Sequence, residues 1–281
     1  MDYYDLHSKR AQIIINELNE LILILYKKNL KISSWYGQFE LSGEPDAFEV
    51  INRGLNYNAL PNAADDKNFP WFLYWEIVWV VLNNPFHPGQ EVLDLGGSSS
   101  LFSYYLASKG LKVTTVDQSK ALVTNADHVK DAMGWNIVNL CMDIRELSIR
   151  HQFDHITSIC VFEHIPMFDR IEINKHIKSI LKENGSFSLT FDYRNPSNAA
   201  RISSPEDIES QFILPSKMKI RGNRYFFDNS KNYLLHPFFS QLTPETSKRH
   251  AVEKGHFDHS LLGCTKETND YTFGALFLQN C

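Results

Sequence analysis

The chain has 281 residues, 43% hydrophobic and 22% charged, which is enough to pack one elaborated domain or a core with a cap. The formal net charge is −5 and no dense Lys/Arg run occurs, so composition argues against a nucleic-acid backbone as partner. Cys141, Cys160, Cys264 and Cys281 lie far apart with no CxxC pair, so reduced thiols in a cytoplasmic protein are expected rather than a disulfide framework.

The acidic N-terminus, MDYYDLHSKR, lacks the basic-then-apolar layout of a signal peptide. Ile13–Tyr26 is rich in Ile and Leu, but Asn16, Glu17, Asn19 and Glu20 interrupt it, so it is too short and too polar to span a bilayer. Its apolar positions Ile14, Leu18, Leu21 and Leu25 recur at helical spacing, which predicts a helix packed on the core or across a homodimer interface. An aromatic segment, Phe69–Trp79, follows a Gly/Pro/Asn-punctuated stretch, and Pro85, Pro88 and Gly89 close this first region. Residues 1–88 are therefore read as a helical and aromatic cap.

Residues 90–193 alternate short apolar runs with helical patterns. Val92–Leu95 reads as a buried strand running into Gly96, Gly97, Ser98, Ser99 and Ser100. A helix Leu101–Lys109 stops at Gly110. The strand Lys112–Val116 ends at Asp117, and the next helix, to Met133, stops at Gly134. Asn136–Cys141 is the third strand, with Asp143 just past its end. Phe153–Cys160 is the fourth, ending near Glu163 and His164. A helix Phe168–Glu183 is expected to stop at Asn184–Gly185 before a strand Ser186–Phe191. Further strands are predicted at Met218–Arg221 and Tyr271–Leu278, with a loop-rich insertion at about 223–269 between them. This alternation predicts an α/β fold with a parallel sheet and right-handed crossovers. Ligands of such sheets sit beyond the carboxyl ends of the strands, where Asp117, Asp143, Glu163 and His164 all fall.

A strand, a glycine turn and a helix N-terminus let backbone N–H groups approach a ligand closely. Asp117 stands where a carboxylate can accept both ribose hydroxyls, and Asp143 adds an acceptor near the place of an adenine amino group. On the residues Val92–Gly97, Val116–Asp117, Met142–Ile144, Val161–Pro166 and Lys182–Thr190, the chain resembles the class I S-adenosylmethionine-dependent methyltransferases. The resemblance covers about residues 90–192. It implies a Rossmann-like, seven-stranded sheet with helices on both faces, a catalytic domain over 89–281, and S-adenosyl-L-methionine as cofactor. It also implies that Asp94 and Gly96 hold the methionine end and Asp117 the ribose, with Gly97, Ser98 and Gln118 also binding the cofactor. Asp143 and the Ile144 backbone would then hold the adenine, with Cys160 to Glu163 flanking the sulfonium. One departure stands out: where the family's loop has two further glycines, this chain has Ser98 and Ser100, residues suited to helix capping.

Methyl transfer from a sulfonium is an in-line displacement in which the protein supplies alignment and a competent nucleophile. His164, beyond the fourth strand, is the candidate base; shaping the pocket without proton transfer is its other reading. Tyr193 and Arg194 at the fifth strand end, and Trp71 and Trp75 of the aromatic segment, are candidates for binding a small-molecule acceptor such as a sugar or secondary metabolite. Trp75 lies on a helix-spaced stripe that equally suits core packing. No metal is expected, because His256, His259 and Cys264 match no strong zinc spacing. The altered glycine loop leaves open a second reading, a methyltransferase-like binding or regulatory protein without catalysis. Absence of Gly-x-Gly-x-x-Gly weighs against a nicotinamide dinucleotide.

Overall fold

The computed structural model describes residues 8–33, 71–194, 202–222 and 272–281. The elements in chain order are α1 (Lys9–Lys27), α2 (Trp71–Asn83), β1 (Glu91–Leu95), α3 (Leu101–Ser108), β2 (Lys112–Asp117), α4 (Lys120–Met133) and β3 (Ile137–Cys141). Then come β4 (Phe153–Ile159), α5 (Met167–Ile177), β5 (Leu181–Tyr193), α6 (Pro205–Ile208), α7 (Leu214–Ser216), β6 (Lys219–Ile220) and β7 (Thr272–Gln279). The strands form a seven-stranded sheet in the order β3-β2-β1-β4-β5-β7-β6. The first five run parallel, while β7 is antiparallel to both β5 and β6.

Alternation along β1 explains why helices cover both faces. Val92 joins the core under α1, α2 and α3, whereas Leu93 and Leu95 join the core under α5 and the segment around Phe212. A parallel strand buried on both sides reads as the continuous apolar run seen in the sequence. On α1 the predicted stripe Ile14, Leu18, Leu21 and Leu25 is buried against this core, and the buried Tyr74 hydroxyl of α2 donates to Asn19 of α1 at 2.8 Å. Ser100 caps α3 as its position suggests, and Ser119 and Ser204 likewise each accept a backbone N–H of the first turn of the helices they start.

One boundary differs from the sequence expectation. The helix predicted to run to Glu183 ends at Ile177; a 3-10 turn, Lys178–Ile180, follows, and β5 begins at Leu181. Tertiary pairing overrides helix propensity here. Leu181 is registered on Phe153, the ladder then shifts before Ser186, and Lys182 Nζ reaches Glu91 at 3.0 Å and Asp154 at 2.9 Å. Asn184, with φ 61°, turns inside the strand rather than ending a helix. The insertion at 223–269, with His256, His259 and Cys264, lies outside the described residues.

Candidate active site

The parallel strands end along one rim, and the segments following β1, β2, β3 and β4 enclose a crevice there. Its volume is about 460 Å³, and Gly96, Asp117, Gln118, Asp143, Ile144, Arg145, Cys160, Val161, His164, Ile165 and Pro166 line it. That volume lies within the range of small-molecule sites.

The β1 turn shows why its sequence is what it is. Gly96 has φ +78°, and a Cβ there would lie 2.5 Å from Val161 Cγ2. A Cβ on Gly97 would lie 1.9 Å from Asp94 Oδ2. Both glycines thus let backbone pass where a side chain has no room. Asp94 itself is buried behind the turn, where its Oδ2 accepts from Ser103 Oγ at 2.5 Å and its Oδ1 from Thr157 Oγ1 at 2.9 Å. Burial raises its pKa to about 6, against the lowering effect of those hydroxyls. Ser98 is buried too, bonded to Thr115 Oγ1 at 2.8 Å. Of the four residues of this turn expected to bind the cofactor, Gly96 therefore lines the crevice, while Asp94, Gly97 and Ser98 are not among its lining residues. Ser99, at φ 65°, takes a left-handed conformation that glycine adopts more readily than serine, and its hydroxyl donates to the Leu122 carbonyl at 2.6 Å.

The second and third carboxylates do meet on the rim. Asp117 is 9% exposed, accepts from the Ser119 backbone N–H at 2.8 Å, and has its pKa raised by burial. Asp143 is gripped by Arg145, whose side chain reaches Asp143 Oδ2 at 2.6 Å and Asp169 at 3.3 Å, and the Arg145 hydrogen bonds hold the Asp143 carboxyl below its usual range. Arg145 was not singled out from the sequence. Its position two residues after a strand-end Asp was the available signal.

After β4 the chain makes a tight turn. Cys160 adopts φ 56°, strained for a residue with a Cβ. A 3-10 turn, Phe162–His164, then points His164 outward, 61% exposed, while Glu163 is fully buried. His164 Nε2 lies 4.0 Å from Glu163 Oε1. Arg170 of α5, also missed in the sequence, holds this turn from below: its buried guanidinium donates to the carbonyls of Phe162 at 2.9 Å and Ile165 at 3.0 Å, and to Gln211. Burial lowers the Arg170 pKa.

Three of the acceptor candidates lie elsewhere. Trp75 is buried in the core and stacked on Trp79 with ring centroids 5.9 Å apart, so the stripe it belongs to packs inward. Tyr193 is mostly buried, and Arg194 lies over its ring while bonding to the Ser203 carbonyl at 2.9 Å; neither lines the crevice. The side chain of Trp71 lies outside the described residues.

Comparison with known proteins agrees with this geometry. Residues 92–185 match the family model described as a methyltransferase domain. A ubiquinone biosynthesis O-methyltransferase of Coxiella burnetii is 34% identical over 108 residues, which is 38% of this chain and 45% of that protein. The chain thus spans less than half the length of the curated relatives it matches. A cyclopropane synthase from Mycobacterium tuberculosis superimposes with a TM-score of 0.55 at 15% identity, covering 94% of each chain. A coclaurine N-methyltransferase gives 0.54 at 13% identity with the same coverage. Residues 92–185 are thus similar to methyltransferase domains, and the strand order with its crevice on the carboxyl rim is the class I S-adenosylmethionine-dependent methyltransferase fold.

Proposed function

We propose that the chain transfers the methyl group of S-adenosyl-L-methionine to a small-molecule acceptor. The observation that carries this reading is that Gly96, Asp117, Gln118, Asp143, Ile144 and Cys160, from four successive strand ends, border one crevice. Donor groups of an adenosyl ligand match these acceptors: ribose hydroxyls to the Asp117 carboxylate, and the adenine amino group to Asp143 beside the Ile144 backbone. S-adenosylmethionine bound there would supply an activated methyl on a sulfonium. The protein's part is to align the acceptor and exclude water around it. Cys160 and the Phe162–His164 turn would flank the reacting centre, and His164, on the crevice wall, is positioned to take a proton from an acceptor hydroxyl or amine. The three proteins compared above carry O-methyl transfer, N-methyl transfer and cyclopropane synthesis in their names, so likeness to them leaves the acceptor open.

Titration calorimetry with S-adenosylhomocysteine tests the proposal, with one site per chain expected. A wild-type protein that binds none would end it. Incubation with isotopically labelled cofactor and cell extract, read by mass spectrometry, would then identify the acceptor.

A further inference from the structure

Next to the Cys160 wall of the crevice lies a cluster of acidic groups of which the cofactor reading uses only the Cys160–Glu163 turn. Glu163 follows β4, Asp192 ends β5 and Cys160 joins them; their ligand-capable atoms all lie within 4.8 Å of one another. Cys160 Sγ is 3.8 Å from Asp192 Oδ1, and the Asp192 backbone N–H donates to Glu163 Oε1 at 3.3 Å. A third carboxylate comes from a different element: Glu76 of α2 faces both acids. Its side chain is wholly buried, and among the described residues neither carboxylate oxygen has a hydrogen-bond partner. The Thr190 hydroxyl and the Cys160 thiol lie near it, but outside hydrogen-bonding geometry.

A buried carboxylate with no donor is costly, and two more carboxylates beside it make it costlier. Burial and these neighbours push the Glu76 pKa well up. What relieves such a site is a cation carrying its own N–H donors. Cys160 belongs both to this cluster and to the crevice wall, so a group held by Glu76 would sit next to the methyl-donor crevice. A divalent metal fits the site less well. Burial and the surrounding carboxylates push the Cys160 thiol pKa up, so a metal there would first have to displace its proton.

Resting on the methyltransferase reading, we propose that Glu76, Glu163 and Asp192 form the acceptor subsite and that it takes a positively charged alkylamine, whose nitrogen receives the methyl group. The acceptor enters as an ammonium and gives one proton to a carboxylate of the cluster. Its freed lone pair forms the new N–C bond as the C–S bond breaks, and the C–S electron pair stays on sulfur. The product leaves as the methylated ammonium, with the charge that the donor lost.

The test is calorimetry on the full chain saturated with S-adenosylhomocysteine. The probes are ethanolamine, n-butylamine and 2-phenylethylamine, each against its neutral counterpart: ethylene glycol, n-butanol and 2-phenylethanol. At least one amine is expected to bind tenfold or more tighter than its counterpart. Glu76→Gln should remove at least tenfold of that preference while S-adenosylhomocysteine affinity stays within twofold. Asp192→Asn serves the same purpose should Glu76→Gln fail to fold by circular dichroism. No amine preference in a protein that binds S-adenosylhomocysteine would overturn the amine subsite alone. So would binding of magnesium or zinc chloride in place of the amines, or an equal loss of S-adenosylhomocysteine affinity in the variants. No binding of S-adenosylhomocysteine by the wild type would instead overturn the methyltransferase reading, and this proposal with it.

Discussion

Single side chains carry the sharpest expectations. Asp117 presents a carboxylate to the crevice, and a charge-assisted hydrogen bond contributes roughly 1.5–3 kcal/mol. Asp117→Ala should therefore weaken S-adenosylhomocysteine binding by about 10- to 100-fold in calorimetry, with the fold intact by circular dichroism. Gly97 is a different case, because its missing side chain makes room for Asp94. Gly97→Ala should lower the melting temperature, in line with the roughly 1–3 kcal/mol typical of overpacking. Asp94 also predicts a pH effect. Its pKa is raised by burial to about 6 from 3.8, so the fold favours the protonated form. The stability this adds is fully present below about pH 4 and is lost as pH rises through about 6, a difference of about 3 kcal/mol. Urea denaturation of wild type and Asp94→Asn across that window should show a steeper decline for the wild type. Parallel curves would contradict the assignment.

At the scale of elements, two devices hold the site in place. The Phe162–His164 turn hangs on Arg170, whose buried N–H groups donate to the carbonyls of Phe162 and Ile165 and to Gln211. Replacing Arg170 with Leu should destabilise the chain by roughly 3 kcal/mol, since it removes all of these buried charge-assisted hydrogen bonds together. The same variant should weaken cofactor binding, because the turn carries the His164 side of the crevice wall. The second device is the α1–α2 pair. Leu18 of α1 is fully buried against the core shared with α2 and α3. Leu18→Ala should cost about 2–5 kcal/mol in chemical denaturation. Serine capping of α3 and α4 is local chemistry and needs no such packing to be legible.

Across the whole molecule, the sheet order puts β1 and β4 side by side at its centre, so that the turns after β1, β2 and β4 face one another across the crevice. No described helix is long and apolar enough to cross a membrane. The outer face of α1 leaves Ile13 and Ile24 exposed, the place where a homodimer, expected from the Ile/Leu content of this segment, would form. Light scattering coupled to gel filtration at micromolar concentration checks this, and a purely monomeric mass would remove it.

Local chemistry was enough to read the strand–turn–helix order of residues 90–193, the helix caps and the rim positions of Asp117 and Asp143, since a strand end, a glycine turn and a capping serine each act over a few neighbouring residues. What the sequence could not specify depends on residues distant along the chain. Leu181 became a strand only because Phe153 pairs with it, and Asp94 became a buried brace only because Ser103 and Thr157 close over it. Trp75 went to the core, and its neighbour Glu76 met Glu163 and Asp192 only when α2 packed on β5. Burial and desolvation are properties of the assembled fold, set by what arrives from elsewhere in the chain, and no window of sequence contains them.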